Sequence, residues 1–119
     1  MGAIRRFLER LSESDESRLA AEVREWADRV PGSTRVGDAS ARERVRLAGV
    51  VTRITVLPTE GNESLEAILF DGTGEVTVVF MGRRTIPGLS LGTKLAVEGV
   101  LGEKLGRLRL VNPRFELLG

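Results

Sequence analysis

Short stretches in which apolar residues alternate with polar or small residues dominate the chain from residue 43 onward. Such alternation places every second side chain on the same face of a strand, so that one face can lie in a core. The pattern predicts five strands, at residues 43–56, 63–70, 75–81, 93–102 and 107–112. Residues 115–117 offer a candidate edge strand after them.

The first and fourth predicted strands share a pattern, because residues 45–51 read VRLAGVV and residues 95–101 read LAVEGVL. An interior glycine weakens a strand unless a bulge or a sharp bend is needed there. We therefore expect strands 1 and 4 to bend at Gly49 and Gly99. Between strands 2 and 3, Asp71-Gly72 is a strong signal for a hairpin turn. The segment 71–74 lacks the lysine and helix of a phosphate-binding loop.

Five strands in this order, with two bent strands and a tight hairpin, resemble the OB-fold, a Greek-key barrel that binds oligonucleotides or oligosaccharides. The predicted fold is mainly β, a five-stranded Greek-key OB-fold barrel with an N-terminal α-helical extension. Three segments carry a closer resemblance: 69–74 (LFDGTG), 91–99 (LGTKLAVEG) and 111–117 (VNPRFEL). They look like nucleic-acid-binding OB domains in the wedge of a branch-migrating DNA helicase. The chain as a whole is similar to small stand-alone OB-fold proteins of high-GC bacteria that carry a helical N-terminal extension. The resemblance covers residues 43–118 and implies a domain type rather than a reaction.

The first forty-two residues have a different, helical pattern. Apolar residues recur at helical spacing in two groups, which are Ile4, Phe7, Leu8 and Leu11, then Leu19, Val23, Trp26, Ala27 and Val30. Serines and acids at 12–17 predict a break near 12–14 and a main helix at 15–30, although the shared phase leaves a single kinked helix as the alternative. Residues 1–42 are predicted to be a helical extension and linker, and 43–119 the barrel.

Between strands 3 and 4, many OB-folds carry a helix that covers one end of the barrel. Residues 82–88 cannot form more than a turn, because Pro87 and two glycines interrupt them. We therefore expect the N-terminal helix to pack near that open end, with Trp26 or Leu19 as its anchor.

The composition excludes several classes of chemistry. The 119 residues contain no Cys and no His, which removes disulfides, thiolate metal sites and the commonest general base. No nucleophile and base pair is in view, so we expect a protein that is not an enzyme and needs no cofactor. Neither a signal-peptide pattern nor a membrane span is visible, which predicts a cytoplasmic protein with no membrane partner.

The charge is close to balanced, with a net value of +1. Residues 1–40 carry a net charge of −1 and residues 41–119 a net charge of +2. Sixteen arginines against two lysines suit phosphate contacts, although a GC-rich genome explains the same bias. So mild a charge favours weak nucleic-acid binding or a protein partner that supplies further contacts.

The outward face of strands 2 and 3 is the expected ligand surface. With Ala67, Leu69, Val76 and Val78 inward, the outward residues are Glu66, Ile68, Phe70, Thr77, Val79 and Met81. Phe70 is the first candidate for base stacking, and Phe80 is a second, although strict alternation places Phe80 inside. Basic residues border this face and are candidates for phosphate contacts: Arg53, Arg83, Arg84, Lys104, Arg107 and Arg109.

The leading hypothesis is a module for single-stranded DNA or RNA with little sequence preference. The alternative is a protein-interaction or self-association module that uses the outward Ile68, Val79 and Met81 surface, or the face of the N-terminal helix. A contiguous stripe of arginines would favour nucleic acid. Arginines paired with Glu63, Glu66 and Glu103 would favour protein contacts.

Overall fold

The computed structural model describes residues 2–59 and 62–119, with the backbone but not the side chains of residues 5–14 and 59. The helix α1 (Gly2–Asp28) and a short 3-10 helix (Val36–Asp38) precede the strands. The strands are β1 (Arg44–Thr59), β2 (Asn62–Phe70), β3 (Glu75–Met81), β4 (Lys94–Val100), β5 (Gly102–Lys104), β6 (Arg107–Val111) and β7 (Arg114–Leu118). All five predicted strands and the candidate edge strand are present.

The seven strands form one sheet in the order β5-β6-β3-β2-β1-β4-β7. Among the described strands, β3 and β6 pair in parallel, and the other neighbours are antiparallel. A closed five-stranded barrel is not confirmed, because this hydrogen-bonded order has two ends, β5 and β7.

The predicted fourth strand is divided at Leu101, which explains why the strand count differs. The backbone N–H of Leu101 donates to Glu43 O at 2.8 Å, and its carbonyl accepts from Arg42 N at 2.8 Å. Before this point β4 pairs with β1, and after it β5 pairs with β6. The division at Leu101 thus lets one continuous chain segment pair with two different strands.

The core lies on the inward face of the strands, as the alternation predicts. Ala67, Leu69, Val76 and Val78 are all buried. The segment between β3 and β4 contains turns and a bend but no helix, which confirms that residues 82–88 form no more than a turn. Ile86, within that segment, is itself buried in the core, so that a loop side chain contributes there in place of a helix.

The predicted break near residues 12–14 is wrong, because α1 is continuous from Gly2 to Asp28. Serine and aspartate inside a helix cost only a few tenths of a kcal/mol each, so their capping signal does not end a helix whose apolar phase continues. The predictions for Phe7, Leu8 and Leu11 concern side chains outside those described. The main helix ends at Asp28, two residues earlier than predicted.

The last turns of α1 pack on the outer face of the sheet. Ala27 forms a cluster with Ala48 of β1 and Ala96 of β4, and Trp26 and Val30, the latter just after the helix, pack against it. Small side chains on these strands leave room for the indole ring, and Lys94 Nζ lies 5.1 Å from its centre. Trp26 is therefore an anchor as predicted.

Leu19 is not an anchor, because 60% of its surface is exposed. The helix approaches the β2–β3 turn instead of the β3–β4 segment: a Cβ added at Gly72 would lie 2.3 Å from Ala20 O. The expected packing of α1 near the open barrel end is not confirmed, because its buried contacts lie on Ala48 and Ala96 of the outer face. Ile86 already fills that part of the core.

Candidate nucleic-acid interface

The outward positions of four neighbouring strands form a continuous surface. Residues paired directly across strands share a face. The pairing registers place one such row across β1, β2, β3 and β6, which consists of Arg53, Ile68, Thr77 and Arg109. The next row consists of Thr55, Glu66, Val79 and Val111.

A β-bulge in β1 determines that Arg53 belongs to this surface. Val51 pairs with Leu69 and Arg53 pairs with Ile68, so that one extra residue is accommodated between them. By simple alternation Val51 and Arg53 would share a face. Because the bulge reverses the phase, Val51 is buried in the core while Arg53 is exposed on the opposite side.

A groove of about 540 Å³ crosses this surface. It is lined by Leu57, Ser64, Glu66, Thr77, Val79, Met81, Lys104, Leu105, Arg107, Leu108 and Arg109. A second section of about 480 Å³ shares Thr77, Arg107 and Leu108 with the first and reaches Val36 and Gly37 of the N-terminal linker. The two sections give the surface an elongated shape suited to a chain-like ligand.

The hairpin of β5 and β6 forms one wall of the groove. Lys104 pairs with Arg107, and the two residues between them have positive φ angles, 54° at Leu105 and 76° at Gly106. These are the conditions of a type I′ turn, which favours Asn or Gly at both positions. Leucine in the left-handed region costs roughly 1 to 2 kcal/mol. The Leu105 side chain stands at the tip of the hairpin with 93% of its surface exposed.

Three cationic side chains meet in the groove, namely Lys104, Arg107 and Arg109. Within the described part of the chain, the buried Nε of Arg109 has no hydrogen-bond partner. Glu66 lines the first section and Glu75 the second, so three cations against two acids leave the groove with a small net positive charge. This arrangement of cationic side chains attracts an anion.

The remaining basic residues of the prediction are dispersed. Arg83 is exposed in the loop after β3, and Arg84 forms an ion pair with Glu63, its Nε lying 2.8 Å from Glu63 Oε2. Arg53 is exposed and pairs directly with Ile68 of β2, but it is not among the residues that line the groove. The structure thus brings three of the six predicted basic residues together and pairs a fourth with an acid.

The predicted aromatic residues lie outside the groove. Phe80 is buried in the core, where its ring packs edge-on against Phe115 at 5.3 Å, so it is not available for stacking on a base. Phe70 is half-buried at the end of β2 and is not among the lining residues. The outward apolar face is also smaller than predicted, because Val79 is buried.

Leu57 and Leu105 line the groove but were not predicted from the sequence. Leu57 lies near the end of β1, where the bulge has changed the phase. For Leu105, the sequence itself indicates an exposed position, because Leu105-Gly106 forms a two-residue turn between Lys104 and Arg107.

The Asp71–Gly74 segment is a hairpin turn, as predicted. Asp71 is buried, and its Oδ1 accepts hydrogen bonds from Thr73 N, Thr73 Oγ1 and Gly74 N at 2.8, 2.6 and 3.0 Å. Its Oδ2 accepts from Val36 N at 2.8 Å. The backbone N–H groups of Thr73 and Gly74 are therefore already used, and Asp71 joins the N-terminal linker to the sheet.

Comparison with known proteins places the groove within a recognised domain. A family model described as an OB-fold nucleic acid binding domain matches residues 45–118, well over half of the chain and nearly all of β1 to β7. No curated protein and no solved structure matched the chain. In the part of the chain that the structure describes, no helix combines the length and the apolar character that crossing a membrane requires.

Proposed function

This chain belongs to the family of OB-fold nucleic acid binding domains, and from that premise we propose that it is a non-enzymatic module for single-stranded nucleic acid. The strand lies along the groove between the β5–β6 hairpin and the outward face of β2 and β3. Phosphates contact the basic side chains, and little of the sequence is read.

The observation that carries this proposal is the convergence of Lys104, Arg107 and Arg109 on a groove with apolar walls. Cationic side chains bind phosphates irrespective of sequence, whereas sequence is read by polar groups at base edges. Apart from these cations, the polar side chains that line the two sections are Ser64, Glu66, Glu75 and Thr77, which is a small set for base readout. Binding with weak sequence preference is the expected result.

Three phosphate contacts imply a modest but measurable salt dependence. For single strands the slope of log K against log salt is about −0.7 for each phosphate neutralised, so three contacts predict a slope of about −2. The elongated shape of the groove matches a short strand, because an OB domain covers roughly 4 to 16 nucleotides.

The test is a fluorescence anisotropy titration of labelled oligothymidine and oligouridine of about twelve nucleotides, between about 50 and 200 mM salt. Replacing Arg107 and Arg109 together by glutamine should weaken binding and reduce the salt slope by about 1.4. The matched control is Arg114→Gln, because Arg114 is exposed on β7 at the other end of the sheet. Absence of binding by the wild-type protein at low salt would refute the proposal.

A second candidate function is self-association or protein binding through α1. Its last turns contact the sheet, while Leu19 and Ile4 have 60% and 69% of their surfaces exposed. Apolar side chains on a projecting helix are suited to a partner helix. Sedimentation of the wild type and of Leu19→Gln at several concentrations tests this candidate, and a wild type that stays monomeric would refute self-association.

A further inference from the structure

The groove presents aliphatic rather than aromatic side chains to its ligand. No aromatic residue is among the described residues that line it, and its exposed apolar side chains are Leu57, Met81 and Leu105. We propose that these three side chains, Leu105 above all, contact the base faces of the bound single strand. This inference rests on the proposed function, because it assigns the base contacts within the same groove.

The exposure of the three side chains supports a role in binding. Leu57, Met81 and Leu105 are exposed over 40%, 58% and 93% of their surfaces. Contact with a base removes apolar surface of both partners from water, which is favourable without any hydrogen bond. Every base has an apolar face, so such contacts tolerate any sequence, as stacking on an aromatic ring does.

Leu105 is the most informative of the three, because its position disfavours leucine in the folded chain. Its φ of 54° is a conformation in which Asn or Gly is preferred, and its nearly complete exposure means that it adds nothing to the core. Neither turn formation nor core packing accounts for an apolar side chain at this tip. Contact with a bound ligand does.

The neighbours of Leu105 indicate how the hairpin is used. Lys104 and Arg107 are paired across the turn, and both line the groove with Leu105. One hairpin thus carries two cations for phosphates and one apolar side chain for the adjacent base. Phe70, which lies outside the groove, has no part in these contacts.

The test compares Leu105→Asn with Leu91→Asn, since Leu91 is 68% exposed and lies outside the groove. Both variants keep the net charge. Leu105→Asn should weaken binding of labelled oligothymidine about three- to tenfold with an unchanged salt slope, and should raise the Tm by roughly 4 to 8 °C because asparagine suits the turn. Leu91→Asn should bind like the wild type. Leu105→Met should bind within about twofold of the wild type, because it keeps an apolar side chain.

A second probe separates base contacts from phosphate contacts. An oligonucleotide of the same length with abasic sites keeps its phosphates but lacks bases. The wild type and Leu105→Asn should bind this strand with equal affinity. Unchanged binding of oligothymidine by Leu105→Asn, or equal binding of the abasic and the intact strand by the wild type, would overturn this inference while the proposed function stands. A wild type that binds neither strand would overturn both.

Discussion

Gly49 and Gly99 occupy matching positions in the two similar strands, yet the structure predicts opposite consequences for their replacement by alanine. A Cβ added at Gly49 would lie 2.6 Å from the carbonyl oxygen of Phe70 and 2.9 Å from its carbonyl carbon. Both are backbone atoms of the paired strand β2, so the overlap is relieved only by moving the strands apart. A Cβ at Gly99 would meet Leu110 Cδ2 at 3.4 Å, an ordinary contact with a side chain.

The size of the effect follows from two terms. Overpacking of this kind costs about 1 to 3 kcal/mol. Replacing a strand glycine by alanine gains roughly 0.5 to 1 kcal/mol through the unfolded chain, and this gain applies at both positions. It cancels in the comparison, so Gly49→Ala should be less stable than Gly99→Ala by about 2 kcal/mol.

Urea unfolding of the two variants measures this difference directly. For 119 residues the unfolding entropy is about 250 cal/mol/K, so 2 kcal/mol corresponds to about 8 °C in Tm. The fluorescence of Trp26, the only tryptophan, reports the contact of α1 with the sheet, and far-UV circular dichroism reports the strands. Equal stability of Gly49→Ala and Gly99→Ala would refute the reasoning from close backbone approach.

Two further predictions concern the attachment of the N-terminal segment. Asp71→Ala removes the acceptor of four hydrogen bonds, one of them from a buried linker N–H, and should lower the free energy of unfolding by about 3 kcal/mol. The control Asp38→Asn, at an exposed position, should change that free energy little. A loss below about 1 kcal/mol for Asp71→Ala would contradict the role of Asp71. The hydrogen bond from Arg35 holds the pKa of Asp28 below its ordinary 3.8. The pair therefore stabilises the fold above pH 3.8, and this stabilisation is lost as the pH falls through the lower pKa of the folded state. The stability difference between wild type and Asp28→Asn should shrink below about pH 4, and a difference independent of pH would contradict the ion pair.

Part of the candidate site follows from local pattern, and part does not. The basic residues of β6 alternate with leucines, which places Arg107 and Arg109 on one face without any knowledge of the fold. The pairing of Arg84 with Glu63 joins the loop after β3 to β2, and no local rule predicts it. The position of Phe70 outside the groove likewise depends on where the β5–β6 hairpin lies relative to β2.

By itself, the sequence determined the strands, the hairpin turn at Asp71-Gly72 and the inward face of β2 and β3, since these follow from backbone sterics and a period of two. Only the tertiary structure decided the division of a strand at Leu101 and the bulge that brings Arg53 to the outward face. It also decided which of two similar glycines is tightly packed, because that depends on atoms of a strand about twenty residues away. Local conformation is encoded by neighbours in the chain, whereas register, closure and close approach depend on which distant segments come to pair.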